Sequence, residues 1–331
     1  MKILFEIAGA PVTLYGVLTA AAILAFWLLG LLYLRRRQVS GGKAVCWMVC
    51  TALLGWLVSR LVFVACNAAY YIDELDGSWA PALCFWDGGY SMIGAMLGAA
   101  LGAELSAALT GERSAHMLNA VGLGLPLGIA VLRLAEFFCD TAESGDIGEG
   151  RYLEDIDWLD SLLERMGLLM QADGDFVYPA CLAEASAVLL LCIGLIIWLV
   201  RCRWSVPGAD ALTVCLVLYG AIQMVLEQIR DDGHLVFHFV HLEQVLALAL
   251  LLAGLIIWTK RFLQAETKRP TLAVVWIVSL VCIGLAVWAC FGVDRWDNKL
   301  LAWLLLIVPT GVLACATLYL RSAANYLTGE E

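Results

Sequence analysis

Nine stretches of this chain stay apolar for close to the roughly 20 residues that a helix needs to cross bilayer hydrocarbon. They run at about 13–34, 44–66, 88–109, 117–138, 180–200, 209–229, 240–259, 271–292 and 300–320. Lipid offers no water to backbone N–H and C=O groups, so each stretch must satisfy its own polar backbone as a helix. A mean hydropathy of +0.86, with 62% hydrophobic residues, excludes a soluble domain. The pattern predicts an all-α, polytopic membrane bundle of about nine transmembrane helices.

The net charge of −10 says little about orientation, because topology follows Lys and Arg rather than the acids. Arg35, Arg36, Arg37 and Lys43 follow the first span, Arg113 the third, Arg201 and Arg203 the fifth, Lys260, Arg261, Lys268 and Arg269 the seventh, and Arg321 the ninth. The alternate segments are acidic, with Asp73, Glu74 and Asp76 in one and a run from Asp140 to Asp175 in another. This bias puts the N-terminus outside and the C-terminus inside. Lys2 precedes the first span and the arginines follow it, the reverse of a cleavable signal peptide, so a retained helix is expected. Of twelve cysteines, Cys46, Cys50, Cys192, Cys215, Cys282, Cys290 and Cys315 lie in apolar spans, where Cys acts as a small hydrophobe. No CxxC or Cys/His spacing calls for a metal, and the pattern implies neither a cofactor nor a nucleic-acid partner.

Connections are short except for 139–178, whose length marks an outward insert with structure or function of its own. Within it Leu153, Ile156, Leu159, Leu163, Met166 and Met170 recur at helical spacing between acids, as in an amphipathic helix. Residues 1–262 read as one membrane domain. After Lys268-Arg269-Pro270, residues 270–321 read as an appended hairpin without chemistry of its own. Gly88, Gly94, Gly98 and Gly102 put small residues on one face of the third span, a surface for close helix packing.

Polar residues inside the spans are costly and therefore candidates for function. In Trp86-Asp87-Gly88-Gly89-Tyr90-Ser91 a carboxylate and two glycines stand where a polar loop becomes a helix. Asp87 reads either as a helix cap or as part of a site at the membrane face. Arg60, Arg133, Glu136, Glu227 and Arg230 all fall toward the outer ends of their spans. Arg133 and Glu136, three apart on a helix, can neutralise one another, and a similar local pair is open to Glu227 and Arg230. Two arginines at this depth suit a lipid phosphate. Tyr15, Asn119, Glu184, Tyr219, Gln223, Glu243 and Gln244 add interhelical hydrogen-bonding groups. His238 and His241, three apart at the start of the seventh span, read either as a base or as two interfacial side chains, with no partner carboxylate motif in the sequence.

In order along the chain, these stretches resemble the prolipoprotein diacylglyceryl transferase family over roughly residues 4–260. Val12-Thr13-Leu14-Tyr15-Gly16 resembles the family's Tyr-Gly opening, Ser59-Arg60-Leu61 its Gly-Arg-Ile/Leu, and Trp86 to Ser91 its Trp-Asp-Gly-Gly-Met-Ser. Pro126-Leu127-Gly128 through Arg133-Leu134 is similar to its Pro…Gly…Gly-Arg-Leu-Gly-Asn. Tyr178-Pro179 through Glu184 is similar to its His-Pro-Ser-Gln-Leu-Tyr-Glu, and Leu218-Tyr219-Gly220 through Glu227 and Arg230 to its Gly-Tyr-Gly…Arg…Glu…Arg.

The resemblance implies a multi-pass enzyme of the bacterial cytoplasmic membrane, acting on phosphatidylglycerol or another anionic phospholipid and on a prolipoprotein signal peptide. It implies that a lipobox cysteine thiolate attacks the glyceryl carbon bearing the phosphate and expels glycerol phosphate. By the same resemblance Arg133 holds the phosphate, and Arg60, Asp87, Gly88, Gly89, Tyr15, Tyr219, Glu227 and Arg230 shape the lipid pocket. Three positions depart from the family pattern: Ile93 stands where it has an essential histidine, Gln223 where it has an essential arginine, and Glu136 where it has asparagine. Glu136 is then a replacement base if its pairing leaves it free, and Gln223 a neutral donor. The alternative expectation is an inactive member that binds anionic lipid or a partner protein.

Overall fold

The computed structural model describes residues 3–7, 10–68, 83, 89–138, 165–166, 170–172, 175–177, 179–230, 236–237, 240–265, 269–296 and 298–328. Among them are nine helices: α1 (Leu14–Arg36), α2 (Gly41–Cys66), α3 (Met92–Thr110), α4 (Ser114–Glu136), α5 (Ala180–Arg201), α6 (Asp210–Leu226), α7 (Leu242–Ala265), α8 (Arg269–Arg295) and α9 (Lys299–Thr328). Eight are long and apolar enough to cross a membrane. The shorter α6, of 17 residues, continues as hydrogen-bonded turns through Arg230. Short antiparallel hairpins precede α1 (β1, Ile3–Ile7; β2, Ala10–Thr13), α5 (β3, Met170–Ala172; β4, Asp175–Val177) and α7 (β5, Val236–Phe237; β6, Val240–His241). The spans are thus helical, as the apolar runs require. Asp87, Gly88, His238 and nearly all of the 139–178 insert lie outside the described residues.

Lipid tails are as apolar as leucine, so burial of oil does not hold such helices together; close packing and hydrogen bonds do. The glycines supply the close approach. A Cβ on Gly94, Gly98 or Gly102 of α3 would lie 2.9 Å from Ser59 Cα, 2.2 Å from Leu54 O and 2.4 Å from Cys50 O of α2. Gly94, Gly98 and Gly102 of the stripe read from the sequence therefore form the seam of the α2–α3 pair. On α4, Gly124 meets the Phe26 carbonyl of α1 and Gly122 meets Leu212 of α6, each at 2.4 Å from such a Cβ. Polar groups fix the register: Trp47 Nε1 of α2 donates to Met117 O of α4 at 3.1 Å. The Asn119 amide donates to Gly208 O at 2.8 Å while its oxygen accepts the Ala211 N–H at 2.9 Å, capping α6 from α4.

The basic turns after α1, α3 and α5 meet at one end, where Arg37 contacts His116 at 3.3 Å and Asn119 holds Gly208. There Lys43 donates to Glu112 at 3.0 Å, and the same carboxylate takes His116 at 3.1 Å. The Lys43 ammonium foremost, with the Arg113 N–H and His116, pulls the Glu112 carboxyl down to about 2.

The helix α9 runs beyond the apolar stretch to Thr328, and its last turns bring Arg321 and Asn325 onto Asp210, the first residue of α6. Asp210 is fully buried and accepts Arg261 Nη1 at 2.7 Å, Arg321 Nε at 2.7 Å, and Trp258 Nε1 and Asn325 Nδ2 at 3.3 Å each. One carboxylate thus ties α6, α7 and α9 together. An apolarity count misses this, because the tie lies one turn past the hydrophobic core.

Candidate functional site

At the opposite end of the bundle, four elements bring buried ionic groups together. Arg133 and Glu136 come from the last turn of α4, Glu184 from the second turn of α5, Tyr219 and Gln223 from α6, Glu227 and Arg230 from the turns after it, and His241 and Glu243 from the entry to α7. Glu184, Tyr219 and Gln223 have no exposed surface, and Arg133, Glu136, Glu227 and Arg230 are buried. Their positions follow from helix periodicity: 219, 223 and 227 share one face of α6 at four-residue intervals.

Glu184 is the centre of the network. Its Oε1 lies 2.8 Å from Arg133 Nε, an ion-pair contact off the N–H axis, and accepts the Tyr219 hydroxyl at 3.3 Å. Its Oε2 accepts Arg230 Nη1 at 3.0 Å. Glu136 Oε1 accepts Arg133 Nη1 at 2.6 Å, so the local pair expected from the three-residue spacing is present. Glu136 Oε2 stands 3.8 Å from Arg230 Nη2 and has no hydrogen-bond donor among the described residues. Arg230 thus reaches across to α5 and α4, a longer connection than the local Glu227 pairing that spacing offers.

A second half of the site adjoins it. Gln223 Nε2 donates to Glu227 Oε2 at 2.8 Å and to Glu243 Oε2 at 3.3 Å, bridging two carboxyl groups. Glu227 Oε1 lies 3.6 Å from His241 Nδ1. His241 therefore has the carboxylate partner that the sequence did not disclose. The partner lies 14 residues upstream, across a hairpin, where no helical spacing could reveal it.

The remaining sequence candidates sit on neighbouring elements at the same end. Arg60, buried near the end of α2, donates through Nη1 to Gly89 O at 2.9 Å, and its guanidinium stands 5.8 Å from the Phe63 and Tyr90 ring centres. Ser59 Oγ donates to Ser91 O at 2.7 Å, and Ser91 Oγ in turn caps α3 by accepting the Gly94 N–H. Gly89 holds a left-handed φ of 77°, and a Cβ there would lie 2.5 Å from Phe63 and 2.8 Å from Arg60 Nη1. The second glycine of Asp-Gly-Gly is thus required by backbone and by space. Tyr15 lies in the first turn of α1, capped by Thr13 Oγ1 on the Gly16 N–H at 3.1 Å. Ile93 is buried in the apolar core.

Two arginines facing several carboxyl groups in a water-poor setting can hold and orient an anionic group, and the histidine can carry a proton. The family model for prolipoprotein diacylglyceryl transferase matches residues 2–260. Phosphatidylglycerol–prolipoprotein diacylglyceryl transferase of Symbiobacterium thermophilum is 29% identical over 258 residues, covering 76% of this chain and 89% of that protein. The proteins of that name from Lactobacillus gasseri and Streptococcus equi subsp. equi are 20% and 22% identical, over 78% and 69% of this chain and 89% and 83% of their own lengths. The match runs through every helix that carries the Arg133–Glu184–Arg230 network and stops before α8, and the chain belongs to the prolipoprotein diacylglyceryl transferase family.

Proposed function

We propose that this protein transfers diacylglycerol from phosphatidylglycerol to the lipobox cysteine of a prolipoprotein, in a bacterial inner membrane. The observation that carries the reading is the buried Arg133–Glu184–Arg230 array at the end of the bundle opposite the basic turns. By the Lys/Arg bias that end faces outward, where signal peptides emerge and the outer-leaflet headgroups lie.

In this reaction the cysteine sulfur forms a bond to the glyceryl carbon as the carbon–oxygen bond to phosphate breaks. The electron pair leaves with glycerol phosphate, and the thiol proton must find an acceptor. Arg133 and Arg230, pre-positioned by Glu184, are placed to neutralise the departing phosphate. Such fixed cations act strongly where water is excluded, because they need no reorganisation as charge develops. Arg60, held by Gly89 and the rings around it, lines the same end with Tyr15. Gln223 spans Glu227 and Glu243 with a neutral amide where an arginine would carry charge.

Glu136 is engaged by Arg133 through one oxygen and faces Arg230 with the other, which makes it a weak proton acceptor. His241 is better placed. Its Nδ1 stands 3.6 Å from Glu227 Oε1, within ion-pair reach of a carboxylate that favours the protonated ring, and it takes the role that Ile93 cannot fill.

Expression in cells depleted of their own transferase tests the reading directly. Restored lipidation of a reporter prolipoprotein supports it, with loss in Arg133→Ala and in His241→Ala. Absent lipidation with the protein confirmed in the membrane overturns it.

A further inference from the structure

The basic end of the bundle holds a feature that lipoprotein modification does not use. A cavity of about 670 Å³ opens between the α5–α6 turn and the end of α9, walled by Trp198, Arg201, Arg203, Ser205, Arg321 and Ser322 among others. Its size falls within the range of small-ligand sites. Three guanidinium groups line it and no carboxylate does. Arg201 and Arg203 are exposed and have no ion-pair partner among the described residues. Arg321 is fixed by its Nε–Asp210 bond and lies 4.6 Å from the Trp198 ring centre. Against the one charge of Asp210 stand Arg201, Arg203, Arg261 and Arg321, so the cluster keeps a positive surplus.

The wall is also held in place. Arg203 and Trp204 have left-handed φ values of 51° and 63°, a conformation costly for non-glycine residues, while their N–H groups bond Val200 O and Leu199 O. The Trp204 ring is pinned from α1, with Arg36 at 5.7 Å and the Tyr33 ring at 6.4 Å. A turn set this way presents its flanking arginines without the ordering cost that a loose loop would carry on binding.

We infer that this cavity binds a phosphate group, the oxyanion that planar guanidiniums grip through paired hydrogen bonds. It lies where basic turns meet the membrane face, so the phosphate belongs either to an anionic lipid headgroup or to a soluble phosphate monoester. Arg321 and Ser322 lie beyond residue 260, where the family match ends. The site is consequently built jointly by the matched stretch and α9, and the Asp210 tie gives that joint its rigidity.

The test uses the purified full-length chain, the Arg201→Gln/Arg203→Gln variant and the charge-retaining Arg201→Lys/Arg203→Lys variant. Native mass spectrometry counts retained phosphatidylglycerol and phosphatidylcholine, and thermal shift in neutral-lipid nanodiscs follows added glycerol phosphate. Loss of one phosphatidylglycerol per chain in the glutamine variant, with phosphatidylcholine unchanged and partial retention in the lysine variant, assigns a lipid headgroup. Unchanged lipid counts with glycerol phosphate affinity weakened about tenfold per guanidinium assign a soluble phosphate. Equal lipid retention and equal glycerol phosphate response in all three proteins overturns the proposal. Both substitutions are on exposed side chains far from the Glu184 network, so ligand-free melting should be unchanged.

Discussion

Arg133 and Glu184, 51 residues apart on α4 and α5, meet at 2.8 Å with neither side chain open to solvent beyond a few per cent, and the second Glu184 oxygen takes Arg230 at 3.0 Å. A carboxylate wedged between two buried guanidiniums holds them apart and aims them. Glu184→Gln keeps the volume and removes the charge, leaving Arg133 to Glu136 and depriving Arg230 of its 3.0 Å carboxylate contact. Thermal unfolding in detergent should show a loss of about 3–5 kcal/mol, the usual cost of breaking a buried ion pair from one side. An unchanged Tm would mean that the arginines have other partners of equal strength.

Much of this arrangement is legible in the sequence and its central part is not. Spans come through because each apolar run must become a helix, and the α2–α3 seam because four-residue glycine spacing has few other uses. Local pairs such as Arg133–Glu136 follow from helical geometry. The bridges from Arg230 to Glu184 and from His241 to Glu227 join residues on different elements, and periodicity carries no information about lateral distance. Asp210 was invisible for a related reason: its partners come from the ends of α7 and α9, where the apolar signal has faded.

Gly89 and Gly284 make a matched pair of probes. Gly89→Ala places a Cβ 2.5 Å from Phe63 at a φ of 77°, against the guanidinium of Arg60. It should cost about 1–3 kcal/mol and reduce activity through displacement of Arg60. Gly284→Ala meets nothing within 4 Å on α8 and should stabilise by up to about 1 kcal/mol. Equal melting temperatures for the two variants would contradict this reading of the Asp-Gly-Gly loop.

Gln223 stands 2.8 Å from Glu227 and 3.3 Å from Glu243, so an arginine there would find two carboxylates waiting. Gln223→Arg should fold and should raise turnover by about 10²-fold if a cation at this point stabilises the leaving phosphate as a fixed donor does elsewhere. Adding Ile93→His tests whether a second imidazole adds to His241 or is redundant with it. A fall in kcat for a well-folded Gln223→Arg protein would show that the neutral amide is what this site requires.

Glu112 sets an acid limit at the other end of the molecule. The fold holds its carboxyl at about 2, below its ordinary 4.5, chiefly through Lys43. A depressed carboxyl favours the folded state most when ionised, so its contribution is complete above about 4.5 and fades as pH falls toward 2. Melting of the wild type and Glu112→Gln should therefore differ at neutral pH and converge in acid. The difference should shrink in high salt, as expected for a pair open to solvent. A gap that widens on acidification would reverse the sign and reject the assignment.

The most direct test of the central claim is a single-turnover assay with purified protein, phosphatidylglycerol and a lipobox peptide, reading released glycerol phosphate and the thioether-linked peptide together. The Arg133–Glu184–Arg230 array with His241 as proton acceptor predicts both products in equal amounts. It also predicts rates lowered by about 10²-fold or more in Arg133→Ala and His241→Ala. Neither product from folded wild-type protein, or undiminished rates in both variants, would contradict it.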